Sequence, residues 1–226
     1  MLHCIAVRHL TMIHIILMCA TATHTFPTFK TRTELAAIFD AKHYTRGAEL
    51  GVQSGGFARH NLERWKACKD YLLVDIWRQQ RNYVDLANVD NANQEILFKT
   101  TLQNIRPFES KTRICRNLTA NCVKFETDGW FDVVYVDARH NYQGAMDDML
   151  KWWPKIKAGG VLAGHDYMDA REVKRATPWQ DWSLNEDGST NNGAVKGAVN
   201  DFAARVGRQV VVAYREPLWN SWVIAK

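Results

Sequence analysis

The sequence predicts an α/β protein: a mostly parallel sheet, wound by helices on both faces and ending in an antiparallel hairpin at one edge. Three observations carry that prediction. From residue 47 onward, short apolar runs alternate with amphipathic stretches, the pattern of strands joined by right-handed helical crossovers. The apolar run at 71–74 is continuous, as expected of a strand buried on both faces. Residues 210–214 and 221–225 are separated by a short turn holding Pro217 and Asn220, which suits a hairpin and is too short for a crossover.

The elements follow in order. A first strand at 47–51 leads to a helix over 56–68, where Ala58, Leu62 and Trp65 recur at i, i+4 and i+7 and share an apolar face. The second strand, 71–74, ends at Asp75. Residues 76–94, rich in Asn, Gln and Asp, read as a surface loop or short helix. A helix near 93–104 and a short strand at 112–115 come next. The clearest unit is the strand 131–137, ending in Asp137, and the helix after it, with Tyr142, Met146, Met149, Leu150 and Trp153 on one face. Pro154 ends that helix, Gly159-Gly160 turns the chain, and 161–164 is the fifth strand. Residues 168–193, with Pro178, Gly188 and many polar side chains, read as an insertion over the strand ends. A helix at 194–206 and the two hairpin strands complete the pattern.

Composition narrows the function classes. The 226 residues suffice for one sizeable core, and 46% hydrophobic with 23% charged residues excludes a disordered or fibrous chain. The longest apolar run, 12–20, is interrupted by His14 and falls short of the roughly twenty residues that cross a membrane. Lysine and arginine number 29 against 24 acids, a net of +5, but the two signs are interleaved, so nucleic acid is not an expected partner. Cys4, Cys19, Cys68, Cys115 and Cys122 include no CxxC pair, which excludes a zinc ribbon and argues against a disulfide scaffold. Arg8, the apolar run and Ala20-Thr21-Ala22 have the form of a signal peptide. Residues 1–22 are therefore read as a cleaved leader or an N-terminal extension, ahead of a single domain over 30–226. The first reading sends the chain to the secretory pathway, where the sequon Asn117-Leu118-Thr119 matters; the second leaves it in the cytoplasm.

In sheets of this kind ligands bind beyond the carboxyl ends of the strands. Three of those ends carry acids: Glu49, Asp75 and Asp137. The run Glu49-Leu50-Gly51-Val52-Gln53-Ser54-Gly55-Gly56 is a glycine-rich strand-to-helix turn, through which a ligand can approach the backbone. Its spacing, GxxxGG, differs from the dinucleotide fingerprint GxGxxG. Asp75, twenty residues beyond Gly55, stands where a carboxylate holds ribose hydroxyls, which NAD and S-adenosylmethionine both carry. Glu49 separates the two: a carboxylate repels a pyrophosphate and attracts a sulfonium and an ammonium. An NAD-type oxidoreductase on the same sheet, or a module that binds the cofactor without catalysis, are the rival readings.

On these residues the chain resembles the class I S-adenosylmethionine-dependent methyltransferases, particularly methyltransferase family 24. The stretches that carry the likeness are GAELGVQSGGFARHNLERW, YLLVDIW, FDVVYVDARHNY and GGVLAGHDY, followed in order by GAVKGAVNDFA and SWVIAK. The resemblance implies a Rossmann-like, doubly wound, seven-stranded sheet with an antiparallel last strand. It also implies that Glu49 and Gly51 face the methionine part of the cofactor, with Gln53 and Gly55 in the same turn. Asp75 would hold the ribose, Ile76 would lie against the adenine, and Asp137 would complete the cofactor site.

The reacting end lies further along. His140 follows Asp137 by three residues, and His165-Asp166 ends the next strand. Neighbouring strands lie about 4.8 Å apart, so Asp137, His165 and Asp166 are expected to converge on one hard cation, magnesium or manganese. This layout is similar to metal-dependent O-methyltransferases acting on catechols or macrolide sugars, whose base sits three residues after the first ligand. His140 takes that place, as in the sugar-type relatives, while His165 departs from their usual carboxylate. Asp137 serves equally as a helix cap. The expected reaction is methylation of a hydroxyl on a small molecule or carbohydrate, with His140 as general base and the metal lowering the acceptor pKa. Tyr142 and Tyr167 are read either as pocket lining or as packing.

Overall fold

The computed structural model describes residues 26–226, so the leader reading of residues 1–22 and the cysteines Cys4 and Cys19 lie outside the described residues. Seven strands form one sheet: β1 (Arg46–Leu50), β2 (Asp70–Asp75), β3 (Thr112–Arg116), β4 (Phe131–Val136), β5 (Ile156–Gly164), β6 (Val210–Val212) and β7 (Trp222–Ala225). Their order is β3-β2-β1-β4-β5-β7-β6. The first five are parallel, and β7 runs antiparallel between β5 and β6. This is the mostly parallel sheet that the alternation predicts, in the Rossmann-like, seven-stranded form that the resemblance implies. Chain order reverses between β1 and β4, which opens a crevice at their carboxyl ends.

Helices cover both faces because the strands alternate their side chains between two cores. Leu72 and Val74 of β2 and Val134 and Val136 of β4 join one core with α5 (Tyr142–Trp152) and α7 (Ala194–Arg205). Tyr71, Leu73, Val133 and Tyr135 join the other, with α1 (Leu35–Ala41) and α2 (Gly56–Arg64). Both cores are closed to solvent, and each fully buried aliphatic side chain contributes about 1.5–3 kcal/mol. Ala58, Leu62 and Trp65 are all buried, as their spacing predicts. The remaining helices are α3 (Asn91–Ile105), the single turn α4 (Thr119–Cys122) and α6 (Ala170–Ala176).

Several expectations are corrected in detail. The helix expected to reach residue 68 ends at Arg64, where Trp65 leaves helical geometry and its indole Nε1 donates to Tyr44 O (2.6 Å). β5 starts at Ile156, not at 161, and Gly159-Gly160 lies inside it as an irregularity in the pairing with β4. A Cβ on Gly160 would stand 2.6 Å from Asp132 O, so the glycine lets the two strands pass. Trp152 takes the fully buried place expected of Trp153, because the chain tightens into a 3-10 turn at Trp153–Lys155. The segment 168–193 holds the helix α6, started by a capping box between Asp169 and Glu172. Cys115 and Cys122 are disulfide-bonded across β3 and α4, a bond the search for CxxC pairs passed over. No helix among the described residues is long and apolar enough to cross a membrane.

Candidate active site

A cavity of about 720 Å³ opens over the ends of β1, β2, β4 and β5. Glu49, Gly51, Gln53, Asp75, Ile76, Asp137, His140, His165 and Asp166 all line it. Gly55 does not: it packs behind the turn, where a Cβ would lie 3.0 Å from Thr101 Cγ2. Tyr142 and Tyr167 also stay outside its lining, bonding instead to Asp201 and Asn200 at 2.7 and 2.6 Å. Their role is packing.

At the ends of β1 and β2, backbone geometry dominates. Gly51 has φ +84°, and a Cβ there would fall 1.8 Å from Asp137 O. The glycine is required first by the close passage of β1 and β4, which Asp137 N also ties by donating to Leu50 O (2.7 Å). Asp75 Oδ2 accepts from Val52 N and Gln53 N at 2.8 and 2.9 Å, and its Oδ1 accepts from Trp77 N at 2.8 Å. Two of its roughly four acceptor positions are thus spent on holding the glycine turn and a third on the chain just beyond β2. Gln53 carries the left-handed φ of +52°, and its carbonyl is pinned by Thr101 Oγ1 and Trp77 Nε1 at 2.9 and 2.7 Å. Glu49 is 1% exposed and receives one hydrogen bond from Tyr71 Oη, at 2.7 Å. Burial pushes its carboxyl up to about 8, and the Tyr71 bond offsets this only in part.

At the ends of β4 and β5, ionisable groups face one another. His140 Nδ1 lies 2.9 Å from Asp85 Oδ2 and 3.1 Å from Tyr83 Oη. Its Nε2 lies 3.0 Å from Asp166 Oδ2 and 3.3 Å from Asp137 Oδ1. Burial alone would lower the imidazole, but Asp166 and Asp85 more than offset it and hold the ring well above its ordinary value. His165 Nδ1 is 3.1 Å from Asp166 Oδ1 and 3.9 Å from Asp137 Oδ2, and its Nε2 is 3.8 Å from Glu216 Oε1. Against the lowering effect of burial, its bonds to Asp166 and Glu216 raise it to about 9. Arg32 stacks over Phe57 and reaches Asp137 Oδ2 at 3.4 Å. Asp166 itself sits at φ +61°, a strained position that turns its side chain into the cluster.

Asp137, His140 and Asp166 each offer one ligand atom within 4.8 Å of the others, a set able to hold a metal ion. His165 stands beside that set, with Glu216 on its far nitrogen. Sequence reasoning did not single out Asp85, Tyr83, Trp182, Arg32 or Glu216. The first three come from the segments 76–94 and 168–193, where the one available signal was large aromatic residues inside otherwise polar runs.

The family described as a methyltransferase domain matches residues 48–167. No curated protein matches the chain. Among solved structures, the O-methyltransferase from Bacillus cereus in complex with SAH is similar with a TM-score of 0.58 at 13% identity, over 91% of this chain and 84% of that one. An O-methyltransferase family protein from Burkholderia thailandensis is similar at 0.59 and 10% identity, over 86% and 55% of the two chains. The spermidine synthase from Thermotoga maritima is similar at 0.53 and 14% identity over 86% of this chain, which spans 59% of that protein's length. At such identities the likeness shows a shared fold.

Proposed function

The chain belongs to the methyltransferase domain family, and on that premise we propose that it transfers the methyl group of S-adenosylmethionine to a hydroxyl oxygen of a small molecule or sugar. The observation that carries the cofactor reading is Glu49: a carboxyl 1% exposed, lining the cavity beside the glycine turn, with Tyr71 rather than a cationic side chain as its hydrogen-bond donor. A cationic ligand beside it draws off the proton and pairs with the resulting carboxylate, whereas a pyrophosphate would meet only an uncharged buried acid and no counter-charge, which disfavours the NAD-type alternative. S-adenosylmethionine supplies a methyl group activated on a sulfonium.

The chain's own residues divide the remaining work. Glu49 faces the positive charge, and Gly51 and Gln53 form the turn against which the methionine part rests, with Gly55 shaping it from behind. The last free acceptor position of Asp75 is directed to the ribose, Ile76 to the adenine, and Asp137 borders the methyl-bearing end. Positioning of two reactants supplies much of the rate in such a displacement. His140 removes the acceptor proton in its neutral form, a role that requires Asp137 and Asp166, which hold the ring protonated through Nε2, to be engaged elsewhere. Two carboxylates and an imidazole also fit a hard divalent ion, magnesium or manganese, held by Asp137 and Asp166 with His165 beside them, where it would lower the acceptor pKa. A cation there competes for the carboxylate oxygens that His140 Nε2 now approaches.

Titration calorimetry with S-adenosylhomocysteine and with NAD separates the cofactor readings. We expect binding of the first alone; binding of NAD alone would replace the proposal with the oxidoreductase reading. Turnover on a panel of hydroxylated acceptors then tests catalysis. His140→Ala should lower it by roughly 10²–10⁴-fold with cofactor affinity nearly intact. A panel with no substrate at all would favour a binding module.

A further inference from the structure

We propose that Asp85 is a positioning residue for His140: it grips the ring by Nδ1 and thereby fixes Nε2 on the cavity side, between the carboxylates of Asp166 and Asp137. The inference deepens the methyltransferase reading, on which the role of His140 rests. Asp85 comes from the loop between β2 and α3, and its side chain is 1% exposed. Its carboxylate makes three polar contacts, two of them to side chains of the site and one within its own loop. Oδ2 accepts from His140 Nδ1 at 2.9 Å and from Trp182 Nε1 at 2.6 Å, and Oδ1 accepts from Ala87 N at 2.7 Å. Trp182 also lies over the imidazole, with ring centroids 4.5 Å apart. The two ring nitrogens of a histidine are distinct, and the partner on one decides what the other can do. With Nδ1 bound to a fixed carboxylate and one face covered by indole, a ring flip would forfeit the Asp85 bond.

The rival role for Asp85 is merely to anchor its loop. The loop has other anchors, however. Asp181 N donates to Val84 O at 3.0 Å, Leu86 N to Gln180 Oε1 at 3.1 Å, and Asn82 Nδ2 to Glu186 O at 2.9 Å. Tyr83 Oη, in addition, donates to Ala138 O at 3.0 Å. The first three bonds join segments 76–94 and 168–193, and the Tyr83 bond ties the loop to the end of β4, all without using the Asp85 carboxylate. Asp85→Asn therefore leaves the loop in place while replacing the acceptor that His140 uses.

The test compares Asp85→Asn, His140→Ala and the double variant in the full chain. Asp85→Asn should lower kcat by roughly 10²-fold, with acceptor KM and S-adenosylhomocysteine affinity changed less than about threefold. In the His140→Ala background the same substitution should cost nothing further, because Asp85 acts through that ring. Nitrogen-15 NMR of labelled histidines supplies a readout that needs no turnover. The wild type should show a hydrogen-bonded His140 Nδ1–H, assigned by its loss in His140→Ala, and this signal should disappear or move in Asp85→Asn. An unchanged signal, or equal losses from Asp85→Asn in both backgrounds, would overturn the positioning role and leave Asp85 a loop anchor. Failure of S-adenosylhomocysteine to bind the wild type would instead sink the methyltransferase reading, and the NMR result would still decide whether Asp85 holds His140.

Discussion

Burial has opposite consequences at the two sides of the cavity. At the ends of β1 and β2, Glu49 is enclosed with a tyrosine hydroxyl for company and is pushed up to about 8, so it is mostly protonated at neutral pH. Over the ends of β4 and β5, Asp85, from the loop after β2, and Asp166 are buried as well. There the His140 imidazole more than offsets the raising effect of burial and holds both below the usual carboxylate range. His165, between Asp166 and Glu216, is held up to about 9 for the complementary reason. A buried acid without a cation gives up its charge, whereas buried acids and imidazoles in contact keep theirs. The first side is built to be completed by a positive ligand. The second carries its own counter-charges.

The largest test of that contrast is Asp166→Asn. It removes a carboxylate shared by His140 and His165, and breaking a buried pair typically costs about 3–5 kcal/mol. Thermal or denaturant unfolding should show this loss. Activation by magnesium or manganese should weaken as well, and excess metal should partly restore rate. An active wild type indifferent to chelation, with normal turnover and stability in Asp166→Asn, would remove both the metal and the self-neutralising cluster.

Glu49→Gln probes the other side. A carboxyl whose folded-state value exceeds its ordinary 4.5 keeps a proton that the unfolded chain has already lost, so its contribution to stability falls as pH rises from about 4.5 to about 8. Glutamine has no such proton. The stability of Glu49→Gln relative to wild type should therefore grow by up to about 1.4 kcal/mol per pH unit across that window. Taking the difference cancels the slopes contributed by Asp148, raised to about 7 chiefly by burial, and by the two histidines. A pH-independent difference would show that Glu49 is already ionised without a ligand. The same variant should weaken S-adenosylmethionine more than S-adenosylhomocysteine, which lacks the sulfonium charge.

The smallest expected effect is that of Asp75→Ala, about 1.5–3 kcal/mol in S-adenosylhomocysteine affinity. Part of this loss is indirect, because Asp75 also fastens Val52 and Gln53. Unchanged affinity in a folded variant would confine Asp75 to its structural bonds.

How much of this was legible in the chain follows from how each part is made. Strands buried on both faces carry near-continuous apolar runs, so 71–74 in β2 and 133–136 in β4 announced themselves, and the amphipathic helices between them set the parallel winding. The acids at 49, 75 and 137 follow from the same logic, since a strand end is a local feature and the crevice lies where chain order reverses. The position of Asp75 was readable, while its bonds to the glycine turn depend on how the turn folds back over β2. Asp85 lies 55 residues from His140 and 97 from Trp182, in segments whose polar composition reads as surface. Only the packing of those two segments against each other turns an ordinary loop aspartate into a buried carboxylate. Periodicity and strand-end chemistry are properties of neighbours along the chain, and they determined the sheet and the acids at its edge. Which nitrogen of His140 is held, which acid is neutral and which is charged depend on distances of about three ångströms between residues far apart in sequence, and the tertiary structure alone decided them.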